Sequence, residues 1–234
     1  MPGRAGRGNA PAMRLRTPLR RLHLWLAWVV GVPILFWTAS GLWMVARPID
    51  EVRGTALRAE PPVLAAPATL TAPAGRAIRS LAVEMQAGRP VWVAGLADGG
   101  AGRADPATGR WLPPVTQGEA RDLARAARRD PPAIRSAVRT PADRPPLDLR
   151  RPRPAWGVTF ADGARVYLDA DSGSVLALRT DQWRAFDWMW GLHIMDLSGR
   201  EDTSHPVLIA AAALALLSTL AGLALLPFSG RRRG

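Results

Sequence analysis

Three histidines are the side chains here best suited to bind a transition metal: His23, His193 and His205. Neutral imidazole is the commonest protein ligand for such ions. Each lies in or beside an apolar stretch, where an ionisable group is a functional candidate by default. Three carboxylates, Asp196, Glu201 and Asp202, fall between His193 and His205 or next to them. Together they read either as a set that binds a divalent or ferric ion, or orients an imidazole through its second nitrogen, or as a solvated acidic rim. The chain has no cysteine, which removes disulfides, thiol nucleophiles, thiolate metal sites and covalent haem attachment. Asp162, Asp169 and Asp171 lack the remaining ligands of a calcium loop and read as turn residues. No H-E-x-x-H, G-x-S-x-G or Walker pattern occurs, and the run Gly99, Gly100, Gly102 is a hairpin loop outside any strand-to-helix phosphate cradle. A hydrolytic or nucleotide-binding site is not encoded.

Two apolar runs must position these residues. Residues 22–46 and 206–228 are each long enough to cross a hydrocarbon core of about 30 Å as a helix. Their apolar positions go all the way round and do not form one stripe. The first run is too long for a signal h-region and continues apolar past its small residues, so it reads as a retained helix. Trp25, Trp28 and Trp43 sit where amphipathic rings prefer the headgroup zone. Before the first run lie Arg4, Arg7, Arg14, Arg16, Arg20 and Arg21 without an acidic residue, and after the second lie Arg231, Arg232 and Arg233. These account for most of the formal net charge of +12. Short Arg-rich flanks stay inside, so both termini (a 1–21 arm and a 229–234 tail) are expected in the cytoplasm and the middle outside, in the bacterial inner membrane. The same placement makes nucleic acid an unneeded partner, and leaves the lipid bilayer as the first one.

The middle divides by composition. Residues 47–73 are Ala/Pro-rich and read as an extended linker. Residues 74–181 form the outer domain, which contains two similar segments, 89–111 and 153–175. Each has Arg-Pro, a strand with a tryptophan, an Ala-Asp-Gly turn and a second strand ending in aspartate. Gly99, Gly109, Gly163 and Gly173 supply the turns. Between the segments, residues 118–129 place Ala120, Leu123, Ala124 and Ala127 on one helical face. Ile134, Ala137 and Val138 predict one further strand. The fold class is α+β, antiparallel hairpins plus a helix, anchored by two transmembrane α-helices. Trp92 and Trp156 are expected in its core. Residues 182–205 are Trp-rich and put Trp183, Phe186, Trp190 and His193 on one helical face, suited to the outer interface. Pro206 suits the first turn of the second span, with Ser204 or Thr203 as its cap.

Several of these stretches resemble one family. Arg21-Leu22-His23-Leu24-Trp25-Leu26 is similar to the entry helix of PepSY-associated transmembrane proteins. Residues 190–196 (WGLHIMD) with Ser204-His205-Pro206 resemble their second membrane entry. The hairpin turns at 105–111 and 169–175 resemble the PepSY module, so the outer domain is expected to be PepSY-like. The resemblance covers residues 15–228. It implies an accessory or electron-transfer subunit in periplasmic ferric-siderophore reduction, with haem b between membrane helices and His23, His193 and His205 as its ligands. It equally admits a non-enzymatic PepSY interaction module that binds a periplasmic partner protein. If redox-active, the chain is a haem-dependent component of a membrane reductase. His23 and His205, at opposite ends of spans some 30 Å long, do not share one haem in a monomer. His193 and His205 lie at similar depth, and a homodimer pairs His23 with His23. A homodimer or a larger membrane redox complex would supply the four spans of longer relatives, with Gly41, Ala46, Ala221 and Gly222 available for close helix approach.

Overall fold

The 36 residues from Ala10 contain three prolines yet form one helix: Pro11 falls in the first turn, and the two interior ones, Pro18 and Pro33, lie in a run otherwise rich in Leu, Val, Trp and Ala. The computed structural model describes residues 10–64 and 69–229. The arginines before residue 10 and the basic tail from 230 lie outside the described residues. In chain order the helices are α1 (Ala10–Val45), α2 (Ile49–Arg53), α3 (Gln117–Ala126), α4 (Asp181–His193) and α5 (Pro206–Ser229). The strands are β1 (Ile78–Gln86), β2 (Arg89–Leu96), β3 (Ala101–Ala104), β4 (Ile134–Thr140), β5 (Ala155–Phe160), β6 (Arg165–Asp169) and β7 (Val175–Arg179). The chain divides into two units, Arg47–Phe186 and the flanking remainder.

The flanking unit holds the two membrane-length segments. Thr17–Val45 has a mean hydropathy of 1.7 and Pro206–Leu226 one of 2.3. α1 and α5 pack on one another, and their other faces leave large apolar side chains uncovered: Trp25, Trp28, Leu216 and Leu226 are all more than half exposed. Apolar side chains so exposed belong in hydrocarbon, where they carry no hydration cost. The helix begins at Ala10, ahead of the apolar run. Pro206 does open α5, but His205, in place of Ser204 or Thr203, provides the cap.

In Arg47–Phe186 the strands form two antiparallel sheets, β1-β2-β3 and β4-β5-β6-β7. The two similar segments of sequence occupy matching places in them. Trp92 pairs with Ala104, and Trp156 with Leu168. Ala104 bridges to Trp111, and Leu168 pairs with Val175. Asp105 and Asp169 close matching turns, each accepting from the backbone N–H two residues on. Each tryptophan also ties down the segment that precedes its sheet: Trp92 Nε1 donates to the Thr71 carbonyl and Trp156 Nε1 to the Val115 carbonyl, both at 2.8 Å.

What covers the matching faces differs. In the second sheet Val158, Phe160, Val166 and Leu168 meet Ala120, Leu123 and Ala124 of α3. In the first, small residues stand in their places; Ala94, Gly102 and Ala104 leave room for the Trp111 ring and the 70–77 strap, and no helix is needed. Trp156 is half-buried, and Trp156→Phe keeps its packing while removing one indole bond. A cost of about 1 kcal/mol is expected in urea unfolding of this unit, with the m-value unchanged.

α3 is offset from the predicted 118–129. Thr116 caps it and Glu119 returns a bond to the Thr116 N–H, a capping box that sets its start. It ends at Ala126 so that Arg128 can leave the axis, lie over the Phe160 ring and pair with Asp162 at 2.7 Å. The Arg128 guanidinium is the main cause that holds the Asp162 carboxyl below the usual carboxylate range. Residues 47–60 are not an extended linker. α2 buries Val52, Gly54 turns the chain in the left-handed region, and Leu57 packs on the second sheet's core.

Candidate functional site

Two of the three histidines are seated by a helix other than their own. His23 lies on α1, and its Nδ1 is 3.0 Å from the Ser218 carbonyl of α5. Its ring edge rests on Gly222, where an added Cβ would come within 2.9 Å of Cε1. His193 ends α4, and its Nδ1 is 3.0 Å from the Trp37 carbonyl of α1 and 3.2 Å from Ser40 Oγ. Here Gly41 makes the room, since a Cβ would stand 3.0 Å from the His193 Cε1. The His193 ring stacks on Trp37 with centroids 4.9 Å apart and planes 16° apart, and Trp190 flanks it at 6.4 Å. Gly41 and Gly222 therefore make close approaches within a single chain.

Those two contacts fix a tautomer. A carbonyl oxygen only accepts, so in each ring the proton sits on Nδ1 and points to the backbone. Nε2 then carries the lone pair. This is the second-nitrogen arrangement by which proteins orient metal-binding histidines. Eighteen helical positions separate His23 from Gly41, roughly 27 Å along the axis at 1.5 Å per residue. That is close to the thickness of a hydrocarbon core.

His205 is placed differently. It is the N-cap of α5, and its Nδ1 accepts from the Val207 N–H at 3.4 Å. The acidic residues form a loop closure. Asp196 is 5% exposed; its Oδ1 accepts from Gly199 N–H and Ser198 Oγ, and its Oδ2 from the N–H groups of Glu201 and Asp202. Those donors, Gly199 first, hold its carboxyl well below the usual carboxylate range. The Glu201 and Asp202 side chains are exposed. Beside the loop, Arg200 pairs with the buried Asp187 at 2.9 Å, and Trp190 Nε1 donates to the Arg200 carbonyl. Among the described residues no three His, Cys, Asp or Glu side chains converge as a metal site.

Asp196→Ala leaves four donors without their acceptor, so residues 196–202 are expected to lose amide protection in hydrogen exchange at neutral pH. Because the folded-state pKa is depressed, the loop's stabilisation is present above the usual aspartate value and fades as acid protonates Asp196. Wild type should approach the alanine variant only as pH falls well below the usual aspartate range.

The tryptophan seat of His193 was not evident from the sequence, where Trp37 reads as belt. A small residue three or four positions beyond an aromatic one on α1 was the available signal.

The family model described as PepSY-associated TM region matches residues 20–234. The chain belongs to this family. Neither the curated proteins nor the solved structures gave a match. With two membrane-length helices and a family defined by its transmembrane region, it is a membrane protein.

Proposed function

We propose that this PepSY-associated protein is an electron-transfer component of the bacterial inner membrane that holds haem b through His23 and His193 and serves ferric-siderophore reduction on the periplasmic side. One observation supports the reading above all: His23 and His193 each donate Nδ1–H to a carbonyl of another helix and keep Nε2 as a lone pair. An anchoring or belt histidine has no need of this. The glycines beneath the rings keep the helices close enough for that bond, and the Trp37 ring shields one face of His193 from lipid and water.

Bis-imidazole ligation needs two rings at one depth, and this chain offers one ring at each depth. A second copy related by a two-fold axis along the membrane normal brings His23 to His23 and His193 to His193, and restores four spans. Haem, when bound, would supply one-electron chemistry. The chain's own part is to fix each imidazole's tautomer and orientation and to exclude water. With both termini in the cytoplasm, as the Arg-rich flanks favour, His23 lies at the inner boundary and His193 at the outer.

The test is a reduced-minus-oxidised spectrum of the full-length protein expressed with haem supply. Sharp α and Soret bands of a low-spin, six-coordinate haem are expected. A folded, membrane-inserted and colourless protein overturns the reading.

A further inference from the structure

Among the described residues, β1 at the end of one sheet and β7 at the end of the other pair with a strand on one side alone, and side chains of β1 bond to the turn before β7. Residues of both strands line one cleft of about 690 Å³, bordered also by the C-terminal end of α3. A volume of that size lies within the range of binding sites. Its walls pair apolar side chains (Met85, Leu123, Val175 and Leu178) with Arg58 and with Arg129, which is paired to Glu60 at 3.5 Å.

Gln86, the last residue of β1, lines this cleft and is 93% buried, with 7% of its surface exposed. Its Nε2 donates to the Ser172 carbonyl at 2.8 Å. A carbonyl cannot donate, so the amide has no choice of orientation and Oε1 is fixed as the other end. That oxygen has no hydrogen-bond partner among the described residues. A buried amide oxygen left unsatisfied costs about 1–3 kcal/mol. Gly173, at the turn into β7, lets the amide lie this close, since a Cβ would sit 2.9 Å from Oε1. The second sheet's turn has thus made room for a polar group that the protein itself does not satisfy.

We propose that this cleft binds an extended peptide segment of a partner protein, which lies along the β1 and β7 edges and donates a backbone N–H to Gln86 Oε1. Three features select a peptide. Open strand edges pair with backbone. The orphan group is an acceptor, and a peptide bears a donor at nearly every residue. The apolar walls take alternate side chains, while Arg58, unlike Arg129, is not spent on Glu60 and suits an acidic residue of the segment. Val175 is 47% exposed at the mouth, so the edge is reachable. The proposal is independent of haem and of the histidines.

The test uses full-length protein in detergent and a fluorescein-labelled hexapeptide of alternating valine and threonine ending in aspartate. Saturable binding is expected, with amide exchange at 83–86 and 175–178 slowed at least tenfold by saturating peptide. Gln86→Leu should weaken binding tenfold or more. Val175→Arg, a change at an exposed position that leaves the Gln86 bond to Ser172 intact, should do the same by filling the mouth. The absence of saturable binding to wild type overturns the proposal. So does binding without protection of these two edges, or binding that both variants leave unchanged.

Discussion

Protein carrying both His23→Ala and His193→Ala is expected to purify without α or Soret bands, while each single variant keeps about half the wild-type haem per chain. The halves follow from the geometry. Each imidazole is seated alone at its own boundary, roughly 27 Å from the other along α1, so the two ends load independently. Alanine is a good helix former, and neither substitution should prevent insertion. A second pair of variants separates the ligand from its seat. Gly222→Leu retains His23 but thrusts a side chain into its ring, and Gly41→Leu does the same to His193. Each is expected to remove the same half as the corresponding histidine variant. His205→Ala should leave both bands intact and instead weaken the start of α5, because its imidazole is engaged in the cap. Full haem retention in the double variant would show that the colour comes from other residues and would end this assignment.

The histidines could be singled out from the sequence because an ionisable group in an apolar run is rare. Their partners could not, because both are backbone carbonyls, of Ser218 and Trp37, which carry no residue-specific signature. The hairpins were legible for a related reason: Asp-Gly and Asp-x-x-x-Gly turns have local chemistry that does not depend on the rest of the fold. β1 and β7 were passed over, although Leu81, Val83 and Met85 alternate with Ala82, Glu84 and Gln86. Neither strand is bounded by a matching turn on both sides. α2 was hidden by composition, since Ala and Pro dominate 47–73 and only Val52 and Leu57 anchor it. The acidic cluster left two readings open, an ion-binding set and a solvated rim. Asp196, Glu201 and Asp202 look like ligands by type and spacing, but the Asp196 carboxylate is spent on the backbone N–H groups of its own loop.

The residues this sequence lacks make a last prediction unusually clean. There is one tyrosine, no lysine and no cysteine. Above the α-amino range and below arginine, the side chain left to titrate is therefore Tyr167. It is fully buried in β6, where its hydroxyl donates to Asp148 Oδ1 at 2.5 Å and accepts from Arg165 Nη1 at 2.9 Å. Burial raises its pKa most, and the Asp148 bond adds to this; Arg165 opposes them, and the pKa is pushed up to about 12 from 10.0. Since the folded value exceeds the unfolded one, the stabilisation is complete below pH ~10 and lost as pH rises towards about 12. The size is on the order of 2–3 kcal/mol, enough to be a large fraction of a domain's stability. Urea midpoints of the 47–186 unit should be flat to about pH 10 and then fall, in step with tyrosinate absorbance. Tyr167→Phe removes the titration and should flatten the high-pH limb. At neutral pH it costs about 1–2 kcal/mol, because Asp148, still paired with Arg165, loses its one hydroxyl donor. A Tyr167 that ionises near pH 10 with no loss of stability would mean that the ring is open to water, and that the Asp148–Tyr167–Arg165 cluster is not part of the folded core.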